Sequence, residues 1–234
     1  MSVVRLASRA LVKRALPRPL LDGLLLRAPR LYATGPVRYE TNLDRAGVEE
    51  LLGQLRAVRH LLGDVVEAGS SRCGASVLMA MDLRAAGVDK RVLACDTYTG
   101  FDRAELARER EAGLCDAPDG AFTSTSLAYV RRKLAALRLS ESVIPVEGLF
   151  ADTLPGLAGP FCLAFVDCDL RDSLVHAGET LWPKLSPGGR LLFDDYADGA
   201  WGGARQGVDA FVSARRDEIE EHGLLGRLYS VRKR

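Results

Sequence analysis

The sequence is short of the residues that mark several common classes of protein. Its five cysteines are odd in number and contain no CxxC pair, so neither a zinc site nor a disulfide framework is indicated. The net charge of +1 gives no overall field that would attract nucleic acid. Long apolar runs that could span a membrane are also missing. We therefore expect a cytoplasmic protein with no nucleic-acid partner and no membrane span.

The chain does contain enough apolar residues for a large core. Its 234 residues are 47% hydrophobic, which predicts one large domain, placed here at residues 41–234. Within the N-terminal part, residues 1–40, the stretch 1–38 carries eight basic residues against one acid, Asp22. An Arg-rich, acid-poor stretch is typical of a transit peptide. We instead expect residues 1–40 to form a basic helical arm and linker that packs on the domain or on a partner subunit, which makes a homo-oligomer possible, and we keep the transit peptide as the alternative.

Apolar runs alternate with helically spaced stretches along the rest of the chain. Predicted strands lie at residues 65–66, 91–95, 143–146, 161–166, 190–193 and 225–231. Predicted helices lie at residues 44–62, 75–86, 127–139, 173–185 and 204–221, with a turn at 186–189. Residues 101–127 are irregular and polar, which indicates a lid or substrate loop, with a short solvated helix plus a loop as the alternative. This alternation predicts an α/β fold with a doubly wound, mostly parallel sheet.

Carboxylates end two of the predicted strands. Asp167 and Asp169 follow the strand that ends at Val166, and Asp194 and Asp195 follow the strand that ends at Phe193. Ligands of open α/β sheets bind outside the carboxyl ends of the strands, so these acids should meet at one mouth. Because they would repel one another, a hard divalent cation is the simplest partner. For Asp169 a second interpretation stays open, that of a helix cap.

A glycine turn follows the first strand. Gly69 and Gly74 bound this turn, Glu67 precedes it, and Asp96 ends the second strand. Glycines let the backbone approach a ligand, and an acid after the second strand binds ribose hydroxyls. The spacing E-x-G-x-x-x-x-G lacks the close glycines of a pyrophosphate site, which disfavours a dinucleotide oxidoreductase. Glu67 suits a cationic ligand such as S-adenosylmethionine, and an ordinary strand–turn–helix is the alternative.

Several separated stretches, in order and with similar separations, resemble the macrocin O-methyltransferase family over about residues 55–215. They are residues 64–69 with Arg72 and Gly74, residues 96–101, 148–155 and 167–169, residues 185–189 with 194–196, and Arg205-Gln206. The resemblance implies a Rossmann-like class I methyltransferase that uses S-adenosylmethionine and Mg²⁺. It also implies methyl transfer to a hydroxyl of a small-molecule acceptor, often a sugar (glycoside) made in natural product biosynthesis.

The resemblance also assigns residues. Those matched to the cofactor are Glu67, Gly69, Arg72, Gly74, Asp96, Gly148 and Phe150, to which we add Tyr98 and Asp167 as neighbours of the cofactor. Asp167, Asp194 and Asp195 match the metal ligands. Asp169 and Asp194 are the predicted catalytic residues.

The chain departs from the family pattern at two places. Arg171 stands where the family has a tyrosine, and His60, His176 and His222 all lie outside the lid, where the family often has a histidine base. The base therefore stays open among a metal-bound carboxylate, Asp169, and the lid residues Asp116 and Asp119. Two alternative functions also stay open: a metal-independent methyltransferase acting on nitrogen or a non-sugar acceptor, and a non-catalytic domain that binds S-adenosylmethionine.

Overall fold

The computed structural model describes residues 40–197 and 199–234, so our expectations for residues 1–38 lie outside the described residues. The helices are α1 Arg45–Val58, α2 Gly74–Ala85, α3 Arg103–Glu111, α4 Leu127–Leu137, α5 Phe150–Thr153, α6 Arg171–Leu181 and α7 Gly202–Ala214. The strands are β1 Asp64–Ala68, β2 Val92–Asp96, β3 Val143–Glu147, β4 Phe161–Val166, β5 Leu185–Phe193, β6 Ile219–Leu225 and β7 Leu228–Lys233.

The strands form one mixed sheet in the order β3-β2-β1-β4-β5-β7-β6. The first five are parallel, whereas β7 runs antiparallel to both β5 and β6. The chain order reverses between the neighbours β1 and β4, and this switch point is where an open α/β sheet leaves a crevice for ligands. The predicted fold class is therefore confirmed.

The central strand β4 packs against helices on both faces. Leu163 and Phe165 belong to a core cluster with residues of α1, α2 and α4. Ala164 and Val166 belong to a second cluster with residues of α6 and α7. All four side chains are fully buried, which explains why β4 is a continuous apolar run rather than an alternating one.

Side-chain caps fix the starts of three helices. Asp44, Asp102 and Ser126 precede α1, α3 and α4, and each accepts the backbone N–H of the residue three positions on, at 2.8, 2.8 and 3.2 Å. The caps on α1 and α4 agree with the helices predicted at residues 44–62 and 127–139. Helix α6 differs, because it begins after Leu170, whose side chain has no acceptor.

Carboxylates from α3 bind the free N–H groups at the start of α6. Glu109 accepts the backbone N–H of Arg171 at 3.0 Å. Glu105 accepts the backbone N–H of Ser173 at 2.7 Å and its hydroxyl at 2.6 Å. Of the two interpretations of residues 101–127, the one with a short helix is therefore confirmed, although this helix is docked on α6. Of the two interpretations of Asp169, the helix cap is wrong.

The last part of the chain corrects a helix prediction. The helix expected at residues 204–221 ends at Ala214, and Ile219–Leu225 forms strand β6, paired with β7. Ile219 follows Val212 by seven residues, a spacing that also suits a helix. Glu220, Glu221 and His222 are exposed on this edge strand, so the alternation typical of a strand is missing.

Two other boundaries differ near β5. The helix expected to reach residue 185 ends at Leu181, because Pro183 lacks the N–H that would continue it. The turn expected at residues 186–189 lies inside β5, where the pairing with β4 shifts register.

We predict that Glu105→Ala loosens α3. The change removes both acceptors of Ser173 and leaves a partly buried N–H without its partner, which costs about 1 kcal/mol. Hydrogen exchange of residues 103–111 should therefore accelerate severalfold. Glu111→Ala, an exposed change in the same helix, is the control and should leave exchange unchanged. Equal exchange in both variants would contradict the docking.

Candidate active site

The turn between β1 and α2 approaches the end of β4 very closely. Gly69 has φ +94°, and a Cβ on it would lie 1.8 Å from the carbonyl oxygen of Asp167. Only glycine fits there. Ser71 and Cys73 also have positive φ values, +45° and +54°, which are strained for residues with side chains. Strain of this kind is typical of ligand-binding turns.

A cavity of about 420 Å³ opens at this edge of the sheet, within the size range of small-molecule sites. Its walls come from residues 40–42, the turn 69–75, the ends of β2 and β4, the lid residues 100–108, Phe122 and Ser124, residues 149–151, and α6. It lies at the switch point of the sheet, where the topology predicts a ligand.

Two acids of the cavity wall match their predicted positions. Glu67 is buried at the end of β1, and the Ser76 hydroxyl donates to it. Burial raises the pKa of Glu67 to about 7, with a smaller contribution from Asp96. Asp96 accepts the backbone N–H groups of Ser71 at 2.8 Å and Tyr98 at 2.6 Å, so its carboxylate is held rigidly at the end of β2.

The acids that follow β4 and β5 do meet, as the sequence indicated. Asp167, Asp194 and Asp195 each offer a carboxylate oxygen within 4.8 Å of the others. Asp194 and Asp195 are 1% and 2% exposed. Burial, followed by repulsion from Asp194 and Asp195, raises the pKa of Asp167 well above its ordinary value. We call Asp167, Asp194 and Asp195 the acid group. Asp167 also lines the cavity, so it belongs both to the acid group and to the cavity wall.

Asp169 lies on the same wall. Its φ of +62° turns the chain sharply, and its side chain lines the cavity. Burial raises its pKa well above the ordinary value, and the charges of Asp195 and Asp194 add to the effect. Asp169 is therefore a neighbour of Asp167, Asp194 and Asp195 rather than a helix cap.

Arg227 is the residue that the sequence analysis missed. It lies in the β6–β7 turn, and its guanidinium donates to both carboxylate oxygens of Asp194 at 2.5 Å and to Asp195 at 3.4 Å. Glu50 of α1 accepts the Arg227 backbone N–H at 3.2 Å and holds the turn in place. Gly226 was the one signal in the sequence, and it marks a turn without naming its partner.

Two predicted cofactor residues lie behind the wall instead of on it. The Tyr98 ring is fully buried in the core, and its hydroxyl donates to the Ala94 carbonyl at 2.7 Å. Gly148 has φ +144° and turns the chain so that Leu149 and Phe150 reach the cavity. Both residues shape the site through the backbone. Gly69, Arg72, Gly74 and Phe150 line the cavity directly.

The two lid acids that were candidates for the general base are directed towards solvent. Asp116 is exposed, and the Asp119 side chain is 89% exposed and paired with Arg110. His176, on α6, lines the cavity although it lies outside the lid. Arg171 pairs with its neighbour Asp172 at 3.1 Å, so the departure from the family tyrosine places an ion pair at the start of α6.

We predict a pH-dependent stability from Glu67. Its folded pKa, about 7, lies above its ordinary value of 4.5, so its contribution is largest below 4.5 and is lost as the pH rises through 7. The free energy of unfolding of the ligand-free protein should fall by roughly 2 to 3 kcal/mol more than that of Glu67→Gln between about pH 5 and 8. Urea titrations of both proteins measure this, and parallel pH profiles would contradict it.

We also predict that Arg227→Met is destabilising, because Asp194 stays buried without its partner. The free energy of unfolding should fall by about 2 to 3 kcal/mol, less than for a fully buried pair since 32% of the Arg227 side chain is exposed. Arg232→Met breaks an exposed pair on the same hairpin and should cost under about 1 kcal/mol. Equal losses in the two variants would refute the assignment.

Comparison with known proteins agrees with the geometry. The family model described as Macrocin-O-methyltransferase (TylF) matches residues 45–222, which is more than half of the chain. A Streptomyces olivaceus relative, 8-demethyl-8-(2,3-dimethoxy-alpha-L-rhamnosyl)-tetracenomycin-C 4'-O-methyltransferase, is 36% identical over 141 residues, covering 58% of this chain and 53% of the relative. Mycinamicin III 3''-O-methyltransferase of Micromonospora griseorubida is 33% identical over 146 residues, covering 57% and 55%. The chain thus spans about half the length of these curated relatives.

Solved structures share the fold. The O-methyltransferase NovP superposes with a TM-score of 0.70 at 24% identity, covering 93% of this chain and 99% of that one. Calicheamicin methyltransferase CalS11 gives 0.67 at 19% identity, covering 92% and 91%. At these identities the likeness shows the fold alone. The family match over residues 45–222 confirms the resemblance drawn from the sequence, and the chain belongs to the macrocin O-methyltransferase family.

Proposed function

We propose that this protein transfers the methyl group of S-adenosylmethionine to a hydroxyl of a sugar or other diol on a natural product. In this proposal a divalent cation, with Mg²⁺ as the expected ion, is held by Asp167, Asp194 and Asp195. One observation carries it: Asp167 is shared by the cavity wall and by the acid group. A cofactor in the cavity and a cation at the acids would therefore be neighbours.

The cavity suits a cationic nucleoside cofactor. Glu67, at the end of β1, offers a carboxylate to the ammonium and sulfonium end, and Gly69 lets the backbone approach it. Asp96 accepts two backbone N–H groups and keeps lone pairs for the ribose hydroxyls, because an ionised carboxylate has about four acceptor positions. Leu149 and Phe150 supply an apolar wall for the adenine.

The acid group suits a hard cation. Its three donors are carboxylate oxygens, the ligands that Mg²⁺ prefers, and opposite ligands of Mg²⁺ are about 4.2 Å apart. The three oxygens lie within 4.8 Å of one another, which is close enough for one cation to contact them all after a small contraction. When bound, the cation lowers the pKa of an acceptor hydroxyl and orients it.

Methyl transfer forms a bond from the acceptor oxygen to the methyl carbon while the carbon–sulfur bond breaks, and the hydroxyl proton must leave. Asp169 is our proposed base. It lines the cavity, whereas the other two candidates for the base, Asp116 and Asp119, face solvent. Asp194 supports this base as a neighbouring carboxylate. Arg227 donates to both Asp194 oxygens and so fixes their positions.

A sugar acceptor is supported by the aromatic residues beside the cavity. Phe101 lines the cavity and packs edge-on against Phe122 at 5.1 Å and against Trp201 at 5.7 Å between ring centroids. Such flat apolar faces pack well against the C–H groups of a sugar or a polyketide ring. The curated relatives carry names of O-methyltransferases acting on glycosylated natural products, which supports the same acceptor class.

The remaining predictions concern the whole protein. Within the described residues, no helix has the length and apolarity needed to cross a bilayer. A cytoplasmic location, a domain boundary at residue 40 and a homo-oligomer stay predictions from the sequence.

The test distinguishes loss of the metal site from loss of cofactor binding. We predict that Asp194→Asn and Asp195→Asn each lower turnover of a glycoside acceptor at least a hundredfold, because a metal-assisted step contributes several kcal/mol. Affinity for S-adenosylhomocysteine, measured by calorimetry, should change less than about threefold. Asp217→Asn, an exposed change, is the control. Full activity of both variants in excess chelator would refute the metal site and favour metal-independent transfer.

A further inference from the structure

Glu40 is a buried carboxylate at the very start of the described chain. Its side chain is 1% exposed. It forms ion pairs with Arg72 at 3.2 Å and with Lys133 at 2.9 Å, and it accepts the Tyr129 hydroxyl at 3.3 Å. A buried carboxylate with three donors of this kind fixes their positions, because each of them would otherwise lose a charged or polar partner.

This cluster forms part of the cavity wall. Glu40, Arg72 and Ser124 all line the cavity, and the Arg72 guanidinium donates to the Ser124 carbonyl at 2.6 Å. Lys133, fully buried on α4, donates to the Arg72 carbonyl as well as to Glu40. One arginine therefore connects the entering segment, the glycine turn and the loop before α4.

The backbone confirms how closely the entering segment packs. A Cβ on Gly74 would lie 2.3 Å from the Glu40 carbonyl oxygen, so this segment crosses the start of α2. The adjoining turn is the strained one, with positive φ at Ser71 and Cys73. A strained turn keeps its shape only when surrounding contacts hold it. Arg72 lies between Ser71 and Cys73, and the Glu40 cluster supplies contacts that hold its side chain.

We propose that Glu40 is a positioning residue for cofactor binding: it anchors Arg72 and thereby holds the turn 69–74 in the shape that receives the amino-acid end of the cofactor. The inference rests on the proposed function, since it assumes that this cavity receives S-adenosylmethionine. Without the carboxylate, two cations remain together in a buried space. Their repulsion moves Arg72 outward and relaxes the strained turn.

The test compares Glu40→Gln with Glu49→Gln, the same chemical change at an exposed position on α1. Calorimetry with S-adenosylhomocysteine is done well below the unfolding temperature of each protein, so that a loss of global stability alone leaves the measured affinity unchanged. We expect Glu40→Gln to weaken binding at least tenfold and Glu49→Gln less than twofold. Unchanged affinity of folded Glu40→Gln overturns the inference.

A second variant covers the case in which Glu40→Gln does not fold. Lys133→Met replaces a buried cation by an apolar side chain of similar length, and the Glu40 carboxylate keeps Arg72 as a charged partner. It keeps the Glu40–Arg72 pair but removes the donor to the Arg72 carbonyl. We expect binding about three- to tenfold weaker, and wild-type affinity would overturn the inference. Failure of the wild-type protein itself to bind S-adenosylhomocysteine would instead refute the proposed function.

Discussion

Buried negative charge at the carboxyl edge of the sheet is the constraint on which the rest of the site depends. Asp167, Asp194 and Asp195 come together because β4 and β5 are parallel neighbours that end at the same level. Several buried carboxylates repel one another unless cations join them. Arg227 supplies one positive charge, and it can reach Asp194 only because the antiparallel β6–β7 hairpin places its turn beside the end of β5. The last two strands thus serve the site as well as the sheet.

A second regularity of this edge is the left-handed backbone that follows each parallel strand. After β2, β4 and β5 these residues are Tyr98, Asp169 and Asp195, with φ of +55°, +62° and +62°. After β1 and β3 they are glycines. Each non-glycine residue of this kind costs about 1 to 3 kcal/mol, so the surrounding core must hold it. The sharp turn keeps the side chains of Asp169 and Asp195 beside the strand ends instead of carrying them into the next helix. Conformational strain and charge repulsion are therefore concentrated at the same place.

Sequence reasoning succeeded where a local pattern determines the structure. The apolar run of β4, the glycine turn before α2 and the acids after β4 and β5 each depend on neighbouring residues, and the parallel arrangement follows from their alternation with helices. It failed where the partner is distant along the chain. Arg227 lies 33 residues from Asp194, and Glu105 caps a helix 68 residues away. Strand β6 was taken for helix because its edge position leaves its acids exposed, so burial imposes no alternation on them. Pairings across such distances come from tertiary packing, which spacing does not record.

The chain before β1 illustrates the same point on a larger scale. The helical spacing of the apolar residues at 44–62 predicts only a helix with one apolar face. In the fold, Glu50 of α1 holds the turn that carries Arg227, and Glu40 binds Arg72 and Lys133 beside the glycine turn. The two carboxylates lie only ten residues apart, yet Glu50 supports the turn beside Asp167, Asp194 and Asp195, whereas Glu40 lies beside the glycine turn of the cavity. Any displacement of this segment would therefore reach both halves of the site at once, because each half depends on one of its side chains for a charged partner.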